Sequence, residues 1–191
     1  GPFSGFRKGS MKVRVAVMQP YFIPYAGYFR LFAATDLFVV FDCVQFPRRG
    51  WVHRNLLPDA NGARRWLTLP LTRTPRQTLI RDLEFAEDAP SEMERRARRF
   101  PDLQKPSPAL HPLASRVMEP GGDVVGYLTE TLGTCCEALG LPFNVIRSSA
   151  LGIAPELRGG ARVREVLRAV GGTSYVNAPG GRELYEPEEF E

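Results

Sequence analysis

KVRVAVMQPYFIPYAGYFRLFAATDLFVVF, residues 12–41, is the stretch on which the reading of the fold turns. Its first part, KVRVAVMQ, alternates charged and apolar residues and runs into a cluster of proline and aromatic residues. That is the pattern of a strand delivering its carboxyl end to a loop. After Pro24, the residues Tyr25, Tyr28, Phe29, Leu31 and Phe32 recur at mixed three- and four-residue spacing, which predicts a short helix to about Thr35. The apolar run from Asp36 to Phe41 then reads as a buried strand. Strand, helix and strand within about 30 residues form a βαβ unit, whose right-handed crossover makes the two strands parallel.

Outward from this unit, WVHRNLLP (51–58) and RRWLTLPL (64–71) are two β-like runs joined across Asp59 to Gly62, where Asn61-Gly62 is a strong turn signal. They predict a hairpin. A further strand is expected over Thr78–Phe85. From Pro90 onward SEMERRARRF, HPLASRVME and GDVVGYLTETLGTCCEALG fit a helical period, punctuated by Pro101, Pro106, Pro108 and Pro120. A strand over Phe143–Ser148, a helix over Gly160–Val170 and a short strand over Thr173–Val176 complete the pattern. The fold class is α/β: a Rossmann-like βαβ start with a mixed sheet, a β-hairpin insertion and a largely helical second half. One domain is expected over 11–191, and the preceding GPFSGFRKGS reads as an expression-tag remnant.

Composition narrows the function classes. A chain of 191 residues buries roughly 70% of its unfolded surface, so it needs no disulfide or structural metal to hold a core. The three cysteines include the adjacent pair Cys135 and Cys136, a spacing used neither by a disulfide framework nor by a CxxC metal site. A reducing, cytoplasmic setting is expected, with neither metal nor cofactor. No apolar run approaches the ~18 residues of a membrane span. The net charge of +4 comes from 25 basic residues, 22 of them arginine, spread along the chain without a nucleic-acid-binding signature. A nucleic-acid partner is therefore not expected.

Two clusters hold the chemically unusual residues: QPYFIPYAGYF (19–29) and DCVQFPRRGWVHRN (42–55). Each follows a predicted strand. Ligands of open α/β sheets settle beyond the carboxyl ends of the parallel strands, so both loops are expected around one crevice. In the first cluster the candidates are Gln19, Tyr21, Tyr25 and Tyr28. Pro24-Tyr25-Ala26-Gly27-Tyr28 sits where nucleotidyltransferases of the HIGH class open their first helix, with tyrosines in place of histidines. Tyrosine donates a hydrogen bond but carries no positive charge, and the same residues also suit an aromatic core.

In the second cluster Arg48, Arg49 and Arg54 can clamp a phosphate or carboxylate, Trp51 offers a stacking face, and Asp42, Gln45 and Asn55 can orient polar groups. His53 is the first candidate for a general base near neutral pH. Cys43, ten residues before it, can form a thiolate–imidazole pair if the hairpin folds back, or can serve as a buried packing residue. Near the end, Asn177 and the paired Gly180 and Gly181 follow a short strand and suit either close backbone approach to a ligand or a plain turn.

The blocks QPYFIPYAGYFRL, DLFVVFDCVQFPRRGWVHRN, WLTLPL and YVNAPGGRELYEPEEF together resemble the WbqC-like family, known chiefly from O-antigen and related biosynthetic gene clusters. The resemblance implies a glycyl or other aminoacyl transferase that acylates an amine of a sugar or natural-product intermediate. The expected activated donor is a carrier-protein thioester or an adenylate, which makes an acyl or peptidyl carrier protein a candidate partner. On that expectation His53 deprotonates the acceptor amine, Asp42 orients His53 or the amine, and the three arginines hold an anionic handle. Backbone amides near Tyr21 or at Gly180 and Gly181 then serve the oxyanion. Family members carry a polar or acidic residue in place of Cys43, and they continue past the equivalent of Glu191. A C-terminal truncation, with part of the site or a homo-oligomer contact beyond it, is expected. A nucleotidyltransferase-like enzyme and a non-catalytic scaffold that binds a carrier protein are the alternative expectations.

Overall fold

The computed structural model describes residues 12–176. Strands β1 (Arg14–Met18) and β2 (Leu37–Val40) are parallel and flank helix α1 (Ala26–Ala34), with Val15 opposite Leu37 and Met18 opposite Val40. The chain then leaves the sheet. It forms the antiparallel hairpin β3 (Arg54–Pro58) and β4 (Arg64–Thr68), followed by helices α2 (Ala89–Ala97), α3 (Pro101–Gln104), α4 (His111–Val117) and α5 (Val124–Leu139). It returns as β5 (Val145–Arg147) beside β2, and α6 (Gly159–Ala169) carries it to β6 (Ser174–Tyr175) on the far side of β1. The sheet order is β5-β2-β1-β6, parallel throughout, and the antiparallel pairing lies in the separate hairpin sheet.

Alternation along β1 explains the layering. Successive side chains of a strand point to opposite faces. Ala16 and Met18 join Phe38, Val40 and residues of α1 and α5 in one core, whereas Val15 and Val17 join Val39, Phe41 and Val163 and Val166 of α6 in another. Val15 to Met18 of β1 are all buried, as expected of a parallel strand covered by helices on both faces. In α1 the buried set Tyr28, Phe29, Leu31 and Phe32 forms the stripe that faces the sheet, and Phe32 stacks on Phe38 at 4.2 Å between ring centres. Truncating Phe32 to alanine in such a core costs about 3–5 kcal/mol. Helix α5 begins at Asp123, whose carboxylate accepts from Gly126 N at 3.1 Å, and ends at Gly140 in the left-handed conformation (φ 67°).

The strand expected over Thr78–Phe85 is absent. The segment makes isolated bridges to three different partners, Leu79 to Gln45, Glu84 to Asp123 and Phe85 to Leu71, around a 3-10 turn at Ile80–Asp82. No single neighbouring strand runs alongside it, so its β-like composition has no continuous ladder to enter. Its first bridge still matters for function, because it seats Thr78–Arg81 against Val44–Phe46 just beyond β2 through Phe46 N–H to Thr78 O and Ile80 N–H to Val44 O, each 2.9 Å.

Candidate functional site

Asp42, two residues past β2, is fully buried, and both carboxylate oxygens are engaged. Oδ1 accepts from Ser149 N at 2.8 Å and Ser148 Oγ at 3.1 Å; Oδ2 accepts from Arg147 Nε and Ser149 Oγ, both at 2.7 Å. Ser148 Oγ in turn accepts from the backbone N–H groups of Asp42 and Cys43. Arg147 also reaches Asp123 at the start of α5. Burial pulls its guanidinium pKa down, but its hydrogen bonds to Asp42 and Asp123 outweigh that and leave it raised. These contacts lock the carboxyl ends of β2 and β5 to one another. None of Asp42's partners is His53, so the expected orienting pair is replaced by a structural junction.

His53 lies just before β3 with the Phe46 ring edge-on at 4.7 Å, and its Nδ1 is buried without a hydrogen-bond partner. Desolvation, reinforced by the nearby charges of Arg54 and Arg48, lowers its pKa from 6.5 to about 4. An imidazole so placed is neutral at pH 7 and is a weak proton acceptor. It lines none of the described cavities.

The loop after β1 is strapped to the hairpin. Asn55 Nδ2 donates to the carbonyls of Phe22 and Ile23, Leu56 N donates to Asn55 Oδ1, and Phe22 N donates to Trp51 O at 2.9 Å. Ile23 is held at φ 46°, a left-handed conformation that β-branched residues avoid, immediately before Pro24. Asn55 is thus a backbone clamp. Tyr28 is also taken from the candidate ligand contacts: it is fully buried, packs near Tyr21, Phe29, Phe32 and Phe38, and donates to Gln19 O at 2.6 Å. Burial raises its phenol pKa well above the ordinary value. Gln19 is buried, Tyr21 is half-buried and Tyr25 is exposed, and none of the three lines a described cavity. The aromatic-core reading of this cluster holds for Tyr28, and the first loop does not share the crevice.

On the hairpin, Trp51 and Trp66 lie 5.4 Å apart, each 42% exposed, and the Arg54 guanidinium covers the Trp66 ring at 4.0 Å. Arg54 Nε also donates to Gly50 O at 3.2 Å. Arg48 donates to Thr74 O at 2.6 Å, and Gln45 Nε2 to Arg76 O at 2.9 Å. Arg48, Arg49, Gln45 and Arg76 line one cavity of about 720 Å³. Asn177, Gly180 and Gly181 lie outside the described residues.

A second cavity, about 490 Å³, meets the first at Gln45 and sits beyond the carboxyl ends of β2 and β5. One wall is Cys43, Gln45, Gln77, Leu79 and Arg81; the other is Ile153, Ala154, Pro155, Arg158 and Arg162, the segment leading into α6 and its first turn. Among the described residues Cys43 is its one nucleophilic side chain. Arg162, 9% exposed, donates to Cys43 O at 3.2 Å and Pro155 O at 3.4 Å, and Arg158 reaches the carbonyls of Pro155 and Leu157. The other two cysteines have thiols pushed up by burial, Cys135 to about 11 and Cys136 to about 12.

The sheet edge that the crevice rule names carries these two cavities, but the loop opposite β2 follows β5 and not β1. Gln77, Arg81, Arg158 and Arg162 were missed by sequence reasoning. The signal was present: applied to the strand over Phe143–Ser148, the same rule would have nominated the residues before the Gly159-Gly160 helix start.

Residues 19–191 match the model of the WbqC-like protein family, which takes in both walls of this crevice. The chain belongs to the WbqC-like protein family. This WbqC-like chain is also 34% identical over 80 residues to "Uncharacterized protein Rv1507c" of Mycobacterium tuberculosis (strain ATCC 25618 / H37Rv), a match covering 39% of the chain. The chain spans about a third of the length of that curated relative (34%). No solved structure matches it. Among the described residues no helix is long and apolar enough to cross a membrane, and no group of three His, Cys, Asp or Glu side chains is placed to hold a metal ion.

Proposed function

We propose that this WbqC-like protein is an acyl or aminoacyl transferase that works in the crevice between the β2 and β5 ends. The supporting observation is that Cys43, the one nucleophile among the described residues lining the cavity, stands among arginines at the carboxyl end of a parallel sheet. In this reading the Cys43 sulfur attacks the donor's thioester carbonyl, the proton of its thiol passes to the departing carrier thiol, and an acyl-Cys43 thioester forms. An acceptor amine then attacks that carbonyl; the amide forms and the amine's proton returns to the Cys43 thiol. Two of the arginines position anionic parts of donor and acceptor. His53 is given no proton-transfer step, because its ring lies outside the cavity and is desolvated.

The test is intact-protein mass spectrometry after incubation with glycyl and other acyl carrier-protein thioesters. A mass increment in the parent, absent in Cys43→Ala and discharged by an amino-sugar acceptor, is the expected result. Donor consumption without any increment would remove the covalent step and leave direct transfer. No consumption with any donor refutes the transferase reading. The nucleotidyltransferase alternative loses its main support, since Tyr28 belongs to the core.

A further inference from the structure

Arg162 poses a charge problem. A guanidinium that is nine-tenths buried ordinarily has a carboxylate partner, because taking an unpaired charge out of water is costly. Among the described residues Arg162 has two carbonyl partners and no acid. Arg158, beside it in the cavity wall, likewise touches only carbonyls among the described residues. Arg81 faces them across the cavity with one distant contact to Asp82, 3.9 Å. Among the described residues, neither this cavity nor the adjoining one, which adds Arg48, Arg49 and Arg76, is lined by any Asp or Glu. Six guanidiniums thus line two cavities that share Gln45, without a carboxylate among the described residues of their lining. The start of α6 adds to the same field: no acidic residue lies in its first turn, and the Arg158 side chain at its N-cap makes no capping hydrogen bond.

We propose that the β2/β5 cavity is a phosphate site, in which Arg158 and Arg162, with Arg81 opposite, hold the phosphate or diphosphate of a small-molecule substrate. Charge matching selects the ligand class. One carboxylate would answer a single guanidinium, whereas a phosphate dianion or a diphosphate answers two or three and takes the paired N–H donors of each fork. The cavity volume lies within the range of small-molecule sites. That this molecule is a transfer substrate rests on the transferase reading; its binding does not.

The test is isothermal calorimetry at low salt with no acyl donor present, using inorganic pyrophosphate, uridine diphosphate and coenzyme A as probes. Saturable one-to-one binding is expected, weakened about ten- to a hundredfold in Arg158→Ala and in Arg162→Lys, which keeps the charge but not the fork. Arg116→Ala, remote from the cavity and paired with Glu130, should bind as the parent does. Arg158 is exposed, so its replacement reports on binding even if the Arg162 variant loses stability. Saturating pyrophosphate should also slow iodoacetamide labelling of Cys43, read by peptide mass spectrometry. Tighter uridine diphosphate supports the proposal with a nucleoside diphosphate as source, tighter coenzyme A with a phosphopantetheine arm, and parity with pyrophosphate with the phosphate alone. The proposal is overturned by no saturable binding at millimolar concentration, by an unchanged affinity in Arg158→Ala, or by binding that leaves Cys43 labelling unaltered. Probe binding in a protein without transfer activity would refute the transferase reading alone.

Discussion

Replacing Asp42 by asparagine separates a structural carboxylate from a catalytic one. The substitution conserves shape and removes one negative charge. Asp42 uses both oxygens, each facing one fixed backbone or guanidinium N–H and one serine hydroxyl: Ser149 N and Ser148 Oγ at Oδ1, Arg147 Nε and Ser149 Oγ at Oδ2. Asparagine supplies one acceptor oxygen. Whichever way its amide turns, the NH₂ faces either Ser149 N–H or Arg147 Nε–H, neither of which can rotate to accept. One buried donor is left unsatisfied at about 1–3 kcal/mol, and the charge-assisted bond to Arg147 is weakened by a further 1 kcal/mol or so. Arg147 keeps Asp123, which holds the total below the ~3–5 kcal/mol seen when one member of a buried pair is removed outright. A loss of about 2–4 kcal/mol is expected. With a urea slope of about 2–3 kcal/mol per molar, the unfolding midpoint should fall by about 1 M at unchanged slope. An Asp42→Asn protein with the parental midpoint would refute this reasoning, and loss of activity in that protein would restore a catalytic role to the carboxylate.

Three further outcomes follow from the geometry. The lowered pKa of His53 means that the unfolded chain binds more protons between pH 6.5 and about 4, so stability should be full above pH 6.5 and decline as pH falls through that window. The ring is only partly buried, so solvent screening reduces the effect at pH 5 to about 1 kcal/mol; the pH 7 to pH 5 change in urea midpoint should shrink in His53→Gln, and an imidazole NMR midpoint at 6.5 or above would contradict it. Asn55→Ala removes the clamp on Phe22 and Ile23 and should cost about 1–3 kcal/mol while raising amide exchange in residues 21–25, measured by hydrogen–deuterium exchange. Gly140→Ala meets no atom within 4 Å, so its cost should be only the left-handed strain, about 1 kcal/mol in thermal or urea unfolding.

Much of this architecture was legible in local pattern. The alternation of β1, the aromatic stripe of α1 and the apolar run of β2 predict the parallel pair found here, and Asn61-Gly62 marks the hairpin turn, where Gly62 takes φ 78°. These features are encoded within a few residues of one another, as periodicity and turn chemistry are. The segment Thr78–Phe85 misleads for the complementary reason: its composition suits a strand, but strand formation needs a partner, and its partners at Gln45, Leu71 and Asp123 are scattered along the chain.

The candidate site divides along the same line. Sequence by itself determined the fold class, the family resemblance, and the sheet edge near which the polar residues after β2 would gather. It could not decide which of them face a cavity, because that depends on contacts a hundred residues apart. Ser148 and Ser149 claim the Asp42 carboxylate from 106 and 107 positions away, Asn55 is spent on the β1 loop, and Tyr28 turns inward to Gln19. Arg158 and Arg162 enter the site only because the parallel order β5-β2 sets the connection after β5 beside Cys43. A side chain's chemistry is a local property; its solvation and its partners are set by which distant segments pack against it.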